Sequence, residues 1–285
     1  MSEARRARRR RPLRAALLLL LAALLAFLLL NSKYSLTVTD YSLSYPSLPA
    51  EFDGFRVVQL SDLHGAEFGE GSSRLVAAVR AQSPDIIALT GDFLDEGKTD
   101  DELPRLRVLV SALSAIAPVY FVSGNHDWAS GEIDALAETL EECGAVYLRN
   151  EYVEIWRGGA SIVLCGVEDP NGFADMIKPD ALVAGLRGEH PDSFALLLGH
   201  RNYWLERYPQ LDIDLALCGH AHGGIVRLPF LGGVLGSNAR LFPEYDAGLF
   251  HGRYDMIVSR GLGNSVPVPR FLNVPEIVSV TLRRA

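Results

Sequence analysis

The stretch Ile86-Ile87-Ala88-Leu89-Thr90-Gly91-Asp92 is a short apolar run followed at once by a glycine and a carboxylate. A run of this length bounded by glycine is typical of a buried strand that ends at a loop. Four other apolar runs are closely followed by polar side chains, in the motifs Asp62-Leu63-His64, Gly124-Asn125-His126-Asp127, Gly199-His200 and Gly219-His220-Ala221-His222. Sites in α/β proteins form in loops at strand ends, so we expect the five motifs to meet.

The side chains in these motifs are suited to binding metal ions. The motifs use five of the seven histidines of the chain. Two divalent cations roughly 3.5 to 4 Å apart need imidazole and carboxylate ligands, and one shared oxygen ligand offsets their mutual repulsion. Asp92 is the natural bridge. A water held between two such ions loses a proton near neutral pH, and the resulting hydroxide can attack phosphorus in line.

The five motifs in this order resemble the signature of the calcineurin-like binuclear metallophosphoesterases. The resemblance implies that Asp62, His64 and His222 serve one metal, that Asn125, His200 and His220 serve the other, and that Asp92 serves both. His126 would then be the catalytic histidine, which gives a proton or hydrogen bond to the leaving oxygen. Asp95 would orient His126.

Single elements of this pattern are weak evidence. His200 alone would be an ordinary core or surface histidine, and Asp95 and Asp127 could each be a turn carboxylate. The combination and its order carry the prediction. Imidazole and carboxylate ligands without thiolate admit two ions of Mn, Fe, Zn or Ni, so the sequence leaves the metal open.

The C-terminal third resembles a narrower branch of the family, the membrane-anchored phosphodiesterases. The stretches that carry this resemblance are Gly223 to Pro229, Tyr245 to Leu249 and Ser259 to Ser265. The chain departs from the serine/threonine protein phosphatases, because Glu96 follows Asp95 where those enzymes have an arginine. A phosphoprotein substrate is therefore disfavoured.

The resemblance implies an α/β fold in which two packed mixed β-sheets are flanked by helices, after one N-terminal transmembrane helix. Alternating apolar residues at Tyr34 to Val38 and at Tyr41 to Tyr45 predict a pair of leading strands. We therefore divide the chain into a basic tail (1–12), a transmembrane anchor (13–31), a linker with leading strands (32–54) and a catalytic domain (55–285).

The N-terminal segment predicts membrane attachment. Residues 15–30 are apolar without interruption, close to the length that crosses a bilayer. A cleaved signal peptide is the alternative, but Leu28-Leu29-Leu30-Asn31-Ser32-Lys33 lacks the small residues of a usual cleavage site. The preceding arginines should stay in the cytoplasm, which gives a single-pass protein of the cell membrane with its catalytic domain on the extracytoplasmic face.

Charge disfavours nucleic acid as a partner. Residues 1–14 carry seven arginines and one glutamate, a net charge of +6 in a chain whose net charge is −8, so the remainder carries −14. Binding to a phosphate backbone requires a basic surface. The three cysteines have no metal or redox spacing, and nothing in the sequence indicates an oligomeric state.

The expected function is metal-dependent hydrolysis of phosphodiester or pyrophosphate bonds in small or lipid-linked molecules. A catalytically silent binding module of the same fold and a phosphomonoesterase or protein phosphatase are the alternatives. A zinc peptidase is disfavoured, because His220 and His222 are two residues apart and no HExxH is present. Residues 228–250, rich in glycine, proline and apolar residues, could form a lid for a lipid-linked substrate or a loop packed for structural reasons.

Overall fold

The computed structural model describes residues 3–172, 178–236 and 240–285. The helices are α1 Glu3–Tyr34, α2 Ser73–Ala81, α3 Thr99–Ser114, α4 Asn125–Ala129, α5 Ile133–Glu142, α6 Pro179–Glu189 and α7 Trp204–Arg207. The strands are β1 Thr37–Tyr45, β2 Arg56–Leu60, β3 Ile86–Thr90, β4 Val119–Val122, β5 Val146–Tyr147, β6 Glu151–Arg157, β7 Ala160–Val167, β8 Ala195–Gly199, β9 Leu215–Cys218, β10 Arg227–Leu228, β11 Gly232–Gly233, β12 Gly248–His251, β13 Asp255–Val258 and β14 Glu276–Arg284.

Two six-stranded mixed sheets form the centre of the domain. The first has the order β1-β14-β2-β3-β4-β5, and the second has the order β12-β13-β9-β8-β7-β6. In the first sheet only the β14–β2 pair is antiparallel, and in the second the two outer pairs are antiparallel. Strands β10 and β11 form a separate short hairpin.

Three apolar layers hold the sheets and helices together. The middle layer lies between the sheets and contains Val57 and Ile86 from the first and Leu196 and Leu217 from the second. One outer layer packs α2, α3 and α5 against the first sheet, and the other packs α6 and α7 against the second. The predicted architecture of two packed sheets flanked by helices is therefore confirmed.

This topology places all five motifs at strand ends of the same polarity. Strands β2, β3 and β4 are mutually parallel, and so are β8 and β9. The motif residues follow the carboxyl ends of these five strands directly, as the apolar runs predicted. Parallel strands end at a common edge, so the motif loops meet there.

The segment between anchor and domain differs from the prediction of two short leading strands. Residues 37–45 form a single strand, and all nine pair in parallel with β14. Leu43 and Tyr45 are buried in the layer between the sheets. The segment predicted as a linker with leading strands (32–54) therefore contributes one strand, β1, which lies at the edge of the first sheet.

Helix α1 contains one span, Arg14–Tyr34, that is long and apolar enough to cross a membrane. Its 21 residues measure roughly 30 Å along the helix axis, which matches a bilayer hydrocarbon core. Large apolar side chains between Leu17 and Leu30 are exposed on its surface. The predicted lid at 228–250 is described only in part, since residues 237–239 lie outside the described ranges; Phe230 is exposed at the tip of the β10–β11 hairpin.

Candidate metal centre

The structure brings the predicted ligands into two groups that share one carboxylate. The first group is Asp62, His64, Asp92 and His222, and the second is Asp92, His200 and His220. Within each group the donor atoms all lie within 4.8 Å of one another. Asn125, which the family resemblance placed with the second ion, is in neither group; the other residues are grouped as the resemblance implied, and their role as metal ligands stays a prediction.

Asp92 lies between the two groups. Its Oδ2 is 3.0 Å from His200 Nε2 and 3.7 Å from His64 Nε2. Its Oδ1 accepts a hydrogen bond of 2.7 Å from the backbone N–H of His126. Oδ2 of Asp92 thus faces imidazoles of both groups, while the hydrogen bond to Oδ1 orients the carboxylate. This arrangement suits a ligand that two ions share.

In this site, pairs of imidazole nitrogens face one another, and two buried polar atoms have no hydrogen-bond partner among the described residues. His64 Nε2 is 3.2 Å from His222 Nε2, and His200 Nε2 is 3.2 Å from His220 Nδ1. Among the described residues nothing hydrogen-bonds to the buried Oδ1 of Asn125 or to the buried Nδ1 of His222. A buried acceptor such as Asn125 Oδ1 costs free energy unless a cation or proton completes it, and imidazole nitrogens that face one another can be joined by a cation, so these residues fit a pair of divalent ions.

Two of the imidazoles are oriented by hydrogen bonds through their other nitrogen. His200 Nδ1 donates to the Thr90 carbonyl over 2.9 Å, and His64 Nδ1 lies 2.6 Å from Asp95 Oδ1. Contacts of this kind fix the ring and direct Nε2 toward a metal. Asp95 was predicted to orient His126, but the His126 Nδ1 is 3.5 Å away, so the short contact of Asp95 is with His64.

His126 differs from the other site histidines in its exposure. Its side chain is 33% exposed, whereas those of His64 and His200 are fully buried. Its ring meets the His64 ring edge to face with 4.9 Å between centroids. His126, His64 and Asp95 also lie within ligand distance of one another, so metal content is the measurement that separates an acid from a ligand at this position.

The site electrostatics are set by Asp92. Burial opposes protonation of His200, but the charge of Asp92 and the hydrogen bond to it outweigh burial and raise the pKa of His200 to about 10. Burial and the neighbouring His200 instead lower the pKa of His220, and burial and His64 lower that of His222. An imidazole binds a metal ion only in its unprotonated form, so the lowered pKa values of His220 and His222 suit the role of ligand.

Asp127, which the sequence marked only weakly, organises two of the motif loops. Its Oδ2 accepts from the backbone N–H groups of Asp92 and Gly124, and its Oδ1 accepts from those of Phe93 and Leu94, all at 2.8–3.0 Å. Burial and the charge of Asp92 raise the pKa of Asp127 to about 6. The carboxylate is fully buried and joins the loop after β3 to the loop after β4.

The motif backbone is strained where the ligands are. Positive φ angles of 48–67° occur at five non-glycine residues, Asp62, His64, Asp92, His220 and His222. Each such conformation costs about 1–3 kcal/mol and persists only where the surroundings enforce it. A β-carbon at Gly91, itself at φ 82°, would lie 2.6 Å from the Gly124 nitrogen, which explains the glycine before Asp92.

Two cavities lie beside the candidate metal centre, one next to each donor group. A polar cavity of about 340 Å³ reaches His220 and is lined by Arg201, Tyr203, Arg207 and Tyr245, among others. Arg201 lies 3.2 Å from His220 Nε2 and forms a two-pronged ion pair with the buried Asp169. A second cavity, mostly apolar, reaches His64. No pattern in the sequence indicates Asp169, because it lies outside all five motifs.

Comparisons with known proteins agree with this geometry. The family described as calcineurin-like phosphoesterase matches residues 55–224, more than half of the chain. The chain therefore belongs to that family of metal-dependent phosphoric ester hydrolases.

Three curated relatives show how far the likeness extends. An uncharacterised metallophosphoesterase of Aquifex aeolicus is 31% identical over 88% of this chain and 93% of its own length. A zebrafish (Danio rerio) transmembrane protein with a metallophosphoesterase domain is 28% identical over 90% of this chain and 60% of its own. The phosphodiesterase YaeI of Escherichia coli is 30% identical over 62% and 64%, respectively.

We predict that Asp127→Asn destabilises the domain. Asparagine offers one acceptor oxygen where the carboxylate offers two, so two buried N–H groups lose their partner at about 1–3 kcal/mol each. We expect the free energy of unfolding of the full chain in detergent to fall by about 2–5 kcal/mol in denaturant titrations. Asp134→Asn, at an exposed position of α5, is the control and should change it by less than about 0.5 kcal/mol. Equal stability of the two variants would contradict the bridging role of Asp127.

Proposed function

We propose that this protein is a membrane-attached, metal-dependent phosphodiesterase. The observation that carries the proposal is the pair of donor groups that share Asp92, with the exposed His126 beside them. Asp62, His64 and His222 would hold one ion, Asn125, His200 and His220 the other, and Asp92 both. When bound, two divalent ions supply a hydrolytic water of lowered pKa and neutralise charge on the phosphoryl oxygens.

His126 has the geometry of a proton donor to the leaving group. Its backbone N–H is fixed on Asp92, so the residue is held at the centre while its side chain remains open to solvent. An imidazole in this position can give a proton or hydrogen bond to the departing oxygen. Asp95, in short contact with His64 and 2.6 Å from Lys98 Nζ, positions a ligand and does not itself reach the substrate.

The two flanking cavities support a diester over a monoester. A phosphodiester has two organic substituents, and cavities of about 340 and 460 Å³ open beside the second and the first donor group, respectively. A monoester would use only one of them. The Escherichia coli relative is named a phosphodiesterase, which agrees with this choice.

Membrane attachment through α1 is the remaining part of the proposal. The exposed apolar surface of Arg14–Tyr34 supports it, and the zebrafish relative is named a transmembrane protein. With the arginine-rich tail retained in the cytoplasm, the catalytic domain faces the extracytoplasmic side. Fusions of a topology reporter to the tail and to Ala285 test this orientation; a cytoplasmic C-terminus would contradict it.

The central test is hydrolysis by the full chain in detergent, after chelation and restoration of Mn, Zn, Fe or Ni singly. We expect chelation to abolish activity and at least one metal to restore it. Bis-p-nitrophenyl phosphate should be cleaved with a higher kcat/KM than p-nitrophenyl phosphate. A preference for the monoester would contradict the diester assignment. Two bound ions without hydrolysis of either ester would favour the silent binding module.

Point variants separate ligands from the acid. Asn125→Ala should lower metal content together with turnover, because it removes a donor oxygen. His126→Ala should keep both ions and lose about 10²- to 10⁴-fold in kcat, most severely for alkyl leaving groups that need a proton. His251→Ala, whose ring is 72% exposed and pairs with Asp255, serves as the control and should match the wild type. Loss of metal from His126→Ala would make that residue a ligand.

A further inference from the structure

The apolar cavity beside the first donor group has one side built from the membrane-spanning helix. It measures about 460 Å³ and is lined on the α1 side by Leu29, Leu30 and Tyr34. Phe68 lies on the loop after the Asp62 motif, and Leu262 and Pro269 come from the segment before β14; these three residues line the other side. The cavity, which we name the anchor cleft, extends from α1 to His64.

The outer end of the anchor cleft lies where α1 would leave the bilayer. Leu30 is 57% exposed, and the apolar side chains of Leu24, Leu25 and Phe27 on the preceding turns of the helix are also exposed. Lys33 and Tyr34 end the span, with Lys33 Nζ 5.0 Å from the centre of the Tyr34 ring. Lysine and tyrosine are typical of the membrane–water interface. The opening of the cleft is thus at the depth of the lipid ester region.

The inner end of the same cleft is polar. Arg270 is buried, and its guanidinium is held by the carbonyl oxygens of Arg260, Gly263 and Asn273. Burial lowers the pKa of Arg270 to about 10. Asn264 Nδ2 donates to two carbonyls, so Oδ1 is its free acceptor, and that buried atom has no partner among the described residues. The lining therefore changes from hydrocarbon at α1 to hydrogen-bonding groups beside the metal donors.

Helix α1 is fixed to the site and does not simply lie near it. Ser32 is buried, and its hydroxyl accepts from the backbone N–H of Asn273 over 3.3 Å. The side chain of Asn273 donates to the carbonyl of His222 over 2.7 Å. The end of helix α1 is therefore connected to a proposed metal ligand through one intervening residue. This connection fixes the position of the cleft relative to the metal centre.

We propose that the anchor cleft binds the hydrocarbon chain of a membrane lipid whose phosphodiester lies at the metal centre. This inference rests on the proposed function and names its substrate class. The cleft is apolar at its opening and polar at its inner end, so it matches a lipid whose hydrocarbon chain lies at the opening and whose phosphate lies at the inner end. The opening faces the bilayer that supplies the lipid. The polar cavity at His220 then receives the head group.

Chain length provides the first test on the full protein in detergent. Each buried methylene raises kcat/KM roughly 4-fold, so hexyl p-nitrophenyl phosphate, which has five more methylenes than the methyl ester, should exceed it by about 10-fold when two of them are buried and by about 10³-fold when all five are. Leu30→Trp fills the opening and should lower this hexyl-to-methyl ratio about 10-fold. Leu24→Trp, on an exposed part of α1 that does not line the cleft, should keep the wild-type ratio. A ratio unchanged in Leu30→Trp would overturn the proposal.

A binding measurement tests the cleft independently of hydrolysis. The full chain is reconstituted in phosphatidylglycerol vesicles that contain phosphatidylglycerol with a diazirine in its acyl chain, then irradiated and mapped by mass spectrometry. We expect labelling within residues 66–68 and 262–270 in addition to α1, and less of it in Leu30→Trp. Labelling confined to α1 would overturn the proposal. Hydrolysis of neither ester, with labelling in both stretches, would contradict the proposed function and leave the lipid site supported.

Discussion

The site depends first on the buried carboxylate of Asp127. Its two oxygens accept four backbone hydrogen bonds, three from the loop after β3 and one from the loop after β4. These bonds fix Asp92, whose own carboxylate then accepts from the N–H of His126. A buried charge that satisfies four donors is costly to move, because each orphaned N–H would cost about 1–3 kcal/mol. The bridging position of Asp92 therefore follows from a residue that binds no metal itself.

The backbone of the proposed ligands is strained, and the rigid loops hold it in that conformation. Five proposed ligands have left-handed backbone conformations, which turn each side chain inward immediately after its strand. The neighbouring glycines allow the loops to approach closely; at Gly219 a β-carbon would lie 2.3 Å from Asp62 Oδ2. The short spacing of the motifs thus has a physical basis. The chain must reverse within one or two residues of a strand end, and close loop packing compensates the cost.

The sequence predicted what is local and missed what depends on distant partners. Apolar runs ending in glycine and polar residues located the five strands and their site loops, because strand, turn and ligand are adjacent in the chain. The parallel pairing of β1 with β14 joins segments more than 230 residues apart, and no pattern near residue 37 indicates it. The sequence also did not indicate the shorter contact of Asp95, which is with His64 at 2.6 Å, while His126 lies 3.5 Å away. Asp127 resembled a turn carboxylate because its four donors lie in two loops.

The position of α1 gives this helix a second role beside the proposed one of membrane anchor. A tether needs only length and hydrophobicity, but the last turn of α1 also contributes Ser32 to the Asn273–His222 connection and Leu29 and Leu30 to the anchor cleft. Removing the helix at residue 32 would therefore expose Phe68 and Leu262, both nearly fully buried, and would release one support of the loop that holds His222. The helix and the hydrolytic domain consequently form one structural unit. A substrate that reaches the centre through the cleft would have to pass between them, at the surface of the membrane.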